Sequence, residues 1–250
     1  MTNLSLVGSG KMATSLVEGL YKYYELEVIG VDSGAMTKLK KRFPKIAITN
    51  YKDDFDIKGK NIILCIKPDT LKKIKLKNKA NTLISILAGT SLETLKNSVD
   101  STHYIRVMPN IAAMYKKSAS AIYGDVEIKD EAIAIFEKIG AAIWVDSEDK
   151  IDIATALSGS GPAYLALIAE ALIDGGVKEG LSREESKALT LALFDGFVPL
   201  LKHIHPAILK ENVMSPKGTT AFALVSMEKN NIRSSMQEAL SVAYTRAKEI

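Results

Sequence analysis

Short β-rich and helical segments alternate up to residue 147, a Gly8-x-Gly10-x-x-Ala13 loop joins the first of each, and strand-like runs stop after Ser147. Together these predict an α/β Rossmann-type N-terminal domain over residues 1–147 and an all-α C-terminal domain over residues 148–250. The 250-residue length suits two domains of ordinary size better than a single core.

The strands read, in order, are LSLVG (4–8), LEVIGVD (26–32), NIILCI (61–66), TLISIL (82–87), HYIRVM (103–108), ASAIYG (119–124) and AAIWVD (141–146). Helical segments such as KMATSLVEGLYKYY and DEAIAIFEKIG lie between them, so a parallel sheet covered by helices on both faces is expected. Thr90 with Glu93 reads as a capping box that opens a helix, and Ser182 with Glu185 reads as a second. The second opens REESKALTLALFDGFVPLLKHI, in which Leu189, Leu191, Ala192, Leu193, Phe194, Phe197, Val198, Leu200 and Leu201 leave almost no polar face. A helical domain this small cannot bury such a helix alone, so a homodimer or larger homo-oligomer is expected.

Composition excludes several classes. At 47% hydrophobic and 25% charged residues, the chain has enough apolar mass for packed cores and is not a disordered sequence. Net charge is +4, but the densest basic run, LKKIKLKNK (71–79), has no interleaved aromatic residue, so nucleic acid is not an expected partner. Glu170, Asp195 and Pro199 interrupt the long apolar segments, which argues against a membrane span. The opening MTNLSLVGSG lacks a basic start, apolar core and cleavage site, so no secretory leader is expected. The lone Cys65 lies in an apolar run and has no cysteine to pair with, as in a cytoplasmic protein.

The glycine loop carries the first chemical signal. Gly8 permits a tight turn, Gly10 lets a pyrophosphate approach the backbone, and Ala13 lets the helix pack on the sheet with its N-terminus toward the phosphates. Asp32, at the end of the second strand, can accept from a ribose 2′-OH and favours NADH, whereas Ser33 and Lys38 could receive the extra phosphate of NADPH. The cofactor is therefore NADH or NADPH. Two stretches in the second half place small residues against apolar helices: SGSGPAY (158–164) and SPKGTT (215–220). Each reads either as a capped helix start or as an anion cradle of free N–H groups, with hydroxyls from Ser215 and Thr220 in the second case. His103, His203 and His205 have no cysteine or acid at metal-ligand spacing, and no metal site is expected.

Read together, GSGKMA, CIKP (65–68), LAG (87–89), RVMPN (106–110), SGSGPAY, DGGVKEGL (174–181), SPKGTT and NNIRSSMQEALSVAYTRAKE resemble the pyrroline-5-carboxylate reductase family over essentially the whole chain. The resemblance implies reduction of a cyclic imino acid, 1-pyrroline-5-carboxylate, to L-proline by hydride from NAD(P)H, the last step of proline biosynthesis. It implies that Ser215, Gly218 and Thr219 hold the substrate carboxylate and that Thr220 is the catalytic contact, bonding the ring nitrogen. It places Gly8, Ser9, Gly10, Lys11, Met12 and Ala13 on the pyrophosphate, with Ser33 and Asn50 at the adenosine end. Ile66, Lys67, Pro68, Ala88 and Gly89 would take the nicotinamide side, and Asn212 would reach a cofactor across a subunit interface. SGSGPAY would let a helix begin close to the cofactor cleft, without proton transfer.

Departures from the family pattern are specific. Lys217 stands where the family usually has glycine, and lysine resists the positive φ that glycine would allow. Ile111 and Ala112 replace a common threonine and proline, and a glutamate often found before His205-Pro206 is absent. A β-hydroxyacid dehydrogenase shares the N-terminal loop, but residues 158–176 contain no lysine to serve as its base. A nucleotide sensor that has lost turnover is the non-enzymatic alternative.

Overall fold

The computed structural model describes residues 3–30, 33–51 and 54–249. The first half runs β1 (Asn3–Val7), α1 (Lys11–Leu20), β2 (Glu25–Gly30), α2 (Ser33–Arg42), β3 (Ala47–Asn50), β4 (Phe55–Asp56), β5 (Asn61–Leu64), α3 (Pro68–Leu71), β6 (Leu76–Lys77), β7 (Ala80–Ser85) and α4 (Leu92–Ser98). It continues through β8 (Ser101–Met108), a 3₁₀ turn at Ile111–Tyr115, β9 (Ser118–Gly124), α5 (Lys129–Glu137) and β10 (Gly140–Trp144). The second half is helical: α6 (Asp149–Ala154), a π-helical turn (Thr155–Gly159), α7 (Gly161–Lys178), α8 (Arg183–His203), α9 (Pro206–Val213), α10 (Thr219–Lys229) and α11 (Ile232–Lys248).

Eight strands form one sheet in the order β10-β9-β8-β7-β5-β1-β2-β3, and β4 and β6 pair separately. From β3 to β8 every pairing is parallel, with the order reversing between β1 and β5, where a doubly wound sheet opens a crevice. The wholly parallel expectation fails at one place. β8 and β9 pair antiparallel, because residues 109–117 are too short to carry the chain back across the sheet. Strands β3, β4 and β6 escaped the sequence reading, being only two to four residues long.

Alternation along each strand sends residues to two separate cores. Leu4 and Leu6 of β1, Ile63 of β5 and Ile84 of β7 pack with Leu16, Leu20 and Phe136, whereas Val7, Ile62, Leu64 and Leu83 pack with Leu71 and Leu95. The α4 cap lies one residue beyond the expected Thr90: Ser91 accepts from the Thr94 N–H at 3.1 Å, and Thr90 turns back to the Ala88 carbonyl. The Ser182–Glu185 capping box forms with both of its bonds, at 3.2 and 2.8 Å.

The chain divides into two compact units, Met1–Ser160 with Val242–Ile250 and Gly161–Ser241. In the first, the end of α11 is pinned to α6: Tyr244 donates to Asp149 at 2.8 Å and Lys248 pairs with it at 2.6 Å, which holds that carboxyl below its ordinary range. In the second, α7 and α8 meet where a Cβ on Gly176 would lie 2.3 Å from Ser186 Oγ, the hydroxyl that donates to the Ile173 carbonyl. Little of α7 and α8 is covered. Among the described residues α7 buries none and α8 only Ser186 and Thr190, leaving Leu167 68% and Leu193 59% exposed.

Candidate functional site

In the first unit, the glycine loop shapes a cleft at the C-terminal ends of the central strands. Gly8 takes φ +122° and donates to the Ile29 carbonyl at 2.7 Å. Gly10 is the N-cap of α1 and offers no side-chain cap, while Ala13 is fully buried against the sheet. The first-turn N–H groups of Lys11, Met12 and Ala13 have no acceptor among the described residues, and the turn carries no acid. Ser9 lies over Gly30, where a Cβ would come within 2.9 Å of its Oγ. The cleft has a volume of 410 Å³ and is lined by Ser9, Gly10, Ile66, Lys67, Tyr51 and Lys73 among others. Unpaired N–H groups, lysines and apolar walls are the donor set that a dinucleotide pyrophosphate needs.

Other expected cofactor residues spread along the same sheet edge. Lys67 caps α3 and Pro68 is its first residue, where a missing N–H costs nothing. Ala88 and Gly89 follow β7, with Gly89 at φ +63° and Ala88 packed on a small cluster of Met108, Ala121 and Ile151. Asn50 ends β3 opposite Gly30 and lines a neighbouring 470 Å³ hollow with Lys40 and Lys41 rather than the cleft. Asp32 lies outside the described residues, and Ser33 begins α2. Tyr51, Thr70 and Lys73 were missed by sequence reading. Tyr51 ties the Lys73 segment down by accepting from the Lys75 N–H at 2.7 Å and donating to its carbonyl at 3.2 Å. Burial pushes the Cys65 thiol well above its usual range, so it is an inert floor residue.

In the second unit, Ser215, Gly218, Thr219 and Thr220 meet at the start of α10. Residues 215–218 make a turn closed by Gly218 N–H to the Ser215 carbonyl at 3.0 Å, with proline second and Lys217 third at φ +60°. That is the type II pattern, and the lysine adopts the left-handed conformation expected to suit glycine. A Cβ on Gly218 would sit 2.2 Å from Ser215 Oγ and 3.1 Å from its carbonyl oxygen, so a side chain there would force the Ser215 hydroxyl aside. The N–H groups of Thr219 and Thr220 and the Thr220 hydroxyl have no partner among the described residues. Thr220 is half-buried at one end of a 540 Å³ apolar hollow with Phe197, Leu200, Leu209, Val213 and Leu224. Asn212 is exposed near the end of α9, just ahead of the turn.

SGSGPAY does begin a helix, α7 at Gly161 with Pro162 in its first turn, but the start follows directly on a π turn at Thr155–Gly159 and a bend at Ser160. An α-helical donor to the Ser158 carbonyl would be residue 162, a proline with no N–H. Asn110 Nδ2 donates to that carbonyl instead, at 3.0 Å. Nearby, the buried Arg106 donates to Glu148 and Asp152, each at 2.9 Å, and Glu148 also takes the Leu92 N–H at 2.6 Å. His205 Nδ1 accepts from the Ala207 N–H as the cap of α9, and His103 lies 4.0 Å from Asp125, both structural positions. No group of three or more metal-ligating side chains occurs among the described residues.

The run Asp149–Lys178 is long and apolar enough by composition to cross a membrane, in spite of Glu170. A family model described as pyrroline-5-carboxylate reductase dimerisation matches residues 148–250, the segment that contains these helices. The chain is 34% identical over 247 residues to the pyrroline-5-carboxylate reductase of Helicobacter pylori, covering 96% of each. A crystal structure of 1-pyrroline-5-carboxylate reductase from Streptococcus pyogenes superposes with a TM-score of 0.85 at 25% identity, over 99% of this chain and 98% of that one. The Plasmodium falciparum pyrroline carboxylate reductase, solved with NADP bound, gives 0.81 at 30% identity with the same coverage.

Proposed function

The chain belongs to the pyrroline-5-carboxylate reductase family, and from that membership we infer that it reduces 1-pyrroline-5-carboxylate to L-proline with NADH or NADPH, the last step of proline biosynthesis. The observation that carries this reading is likeness along the full length, which takes in the glycine loop and the Ser215–Thr220 turn together. Either motif alone is a common helix start. Bound NAD(P)H supplies the hydride. The residues of the chain bind, orient and neutralise.

In this reading the open N–H groups of α1 and the lysines of the cleft receive the pyrophosphate, and Ala88 and Gly89 border the nicotinamide. The substrate carboxylate sits on the N–H groups of α10 and the Ser215 hydroxyl, a contact with a helix N-terminus of about 0.3–1 kcal/mol before burial. Thr220 Oγ bonds the ring nitrogen. An imine bound protonated is already electrophilic, so no general acid is required, and alignment supplies several kcal/mol of the barrier. The protein works as a homo-oligomer. We propose a homodimer or larger assembly in which Asn212 and the α10 cradle of one chain serve the cofactor of the other, in the cytoplasm, without nucleic-acid or membrane partners.

The test is kcat/KM for each cofactor with the imine. Asp32→Ala is expected to weaken NADH and improve NADPH relative to it, whereas a native protein that strongly prefers NADPH would remove Asp32 from the ribose 2′-OH.

A further inference from the structure

We infer that Asn110 is a positioning residue for hydride transfer, acting through the π turn at Thr155–Gly159; the assignment rests on the reductase reading above. Asn110 is buried, and besides its carbonyl, which accepts from the Ala113 N–H at 3.1 Å, it makes three further hydrogen bonds. Its N–H donates to Ser118 Oγ at 3.0 Å, its Oδ1 accepts from the Ala112 N–H at 3.1 Å, and its Nδ2 donates to the Ser158 carbonyl. The first ties the backbone to the start of β9 and the second caps the 3₁₀ turn. The third reaches 48 residues along the chain to a carbonyl that Pro162 cannot serve.

The π turn stands next to the nicotinamide-side wall. A Cβ on Gly159 would lie 3.5 Å from Met108 Sδ at the end of β8. Met108 belongs to the cluster on which Ala88, from the end of β7, and Ala154, from the helix leading into the turn, both pack. Glu148, half-buried, is shared between the buried Arg106 and the first N–H of α4, so one ion pair ties down both the helix after Gly89 and the helix before the turn. Asn110 is the contact made at the turn itself. The hydroxyls of the turn and of the residue after it are committed: Thr155 donates to the Ile151 carbonyl at 2.8 Å, Ser158 to the Ala154 carbonyl at 3.0 Å and Ser160 to the Thr155 carbonyl at 3.1 Å. With no free hydroxyl to move a proton, the turn serves by shape, and a slack turn would let the ring shift from its line to the imine carbon.

Asn110→Ser separates the two roles, because serine still caps the 3₁₀ turn but cannot reach Ser158. Asn110→Asp fills the same space and sets a carboxylate oxygen against the carbonyl. Steady-state kinetics, the primary isotope effect with cofactor deuterated at the transferred position, and Tm are measured for native protein and both variants. We expect kcat to fall roughly 10- to 100-fold with cofactor KM nearly unchanged, and the isotope effect to rise, since small misplacements cost that much in rate. A folded variant with native kcat and isotope effect overturns the assignment, whatever its Tm. So does a rise in cofactor KM at unchanged kcat, which would mark a binding role. Native protein that turns over while the variants behave identically to it contradicts Asn110 alone; native protein without imine-dependent oxidation overturns the reductase reading and this assignment with it.

Discussion

A Cβ on Gly8 would lie 2.5 Å from the carbonyl oxygen of Cys65, so the turn after β1 meets the end of β5 only because residue 8 has no side chain. The φ of +122° adds a backbone conformation that other residues rarely hold. Gly8→Ala is expected to lose at least about 2 kcal/mol of stability and to weaken cofactor binding, read by urea midpoint and fluorescence titration. An unchanged midpoint would mean that the loop has room to relax.

At the α10 turn, two substitutions should differ in severity. Thr220→Ala removes one hydroxyl and is expected to cost about 1–3 kcal/mol in kcat/KM. Gly218→Ala drives a methyl into Ser215, at 2.2 Å from Oγ and 3.1 Å from the carbonyl, and should cost more by displacing the whole turn. Equal kcat/KM in native and Thr220→Ala protein would sink the role given to that hydroxyl.

Lys217 holds φ +60° without glycine's freedom. Replacing it by glycine relieves roughly 1–2 kcal/mol of left-handed strain and adds about 0.5–1 kcal/mol of unfolded-state entropy. Lys217→Gly should therefore be neutral to slightly more stable, with activity retained. Marked destabilisation in a denaturation curve would show that the lysine side chain makes a stabilising contact.

The exposed faces of α7 and α8 require cover. Each large apolar side chain left in water forgoes roughly 1.5–3 kcal/mol, and Leu189, Leu191, Leu193, Phe197 and Val198 are all exposed in the single chain. Leu193→Glu and Phe197→Asp are expected to lower mass in light scattering and activity together. A native protein that is fully active as a monomer would contradict the assembly.

What could be read from the sequence was what is local. The glycine loop, the Ser182–Glu185 box and the apolar circumference of α8 each follow from neighbouring residues, and each appears as read. The reversal at β9 depends on a short connection within a pattern that otherwise looks parallel. SGSGPAY was legible as a helix start, and α7 begins there at Gly161, but the π turn ahead of it was not, because the Ser158 carbonyl finds its donor on Asn110, far along the chain. Tyr51 and Lys73 reach the cleft from segments without a motif, brought there by sheet order alone. Lys217 was the reverse case: the residue type argued against a left-handed conformation, and the turn closed by Gly218 N–H to the Ser215 carbonyl holds it at φ +60°.

The most direct test of the account follows absorbance at 340 nm while native protein is mixed with 1-pyrroline-5-carboxylate and either NADH or NADPH, with the product identified by chiral chromatography. The account predicts cofactor oxidation that depends on the imine and yields L-proline mole for mole. No imine-dependent oxidation with either cofactor, in a protein that binds the cofactor and is correctly assembled, would contradict it.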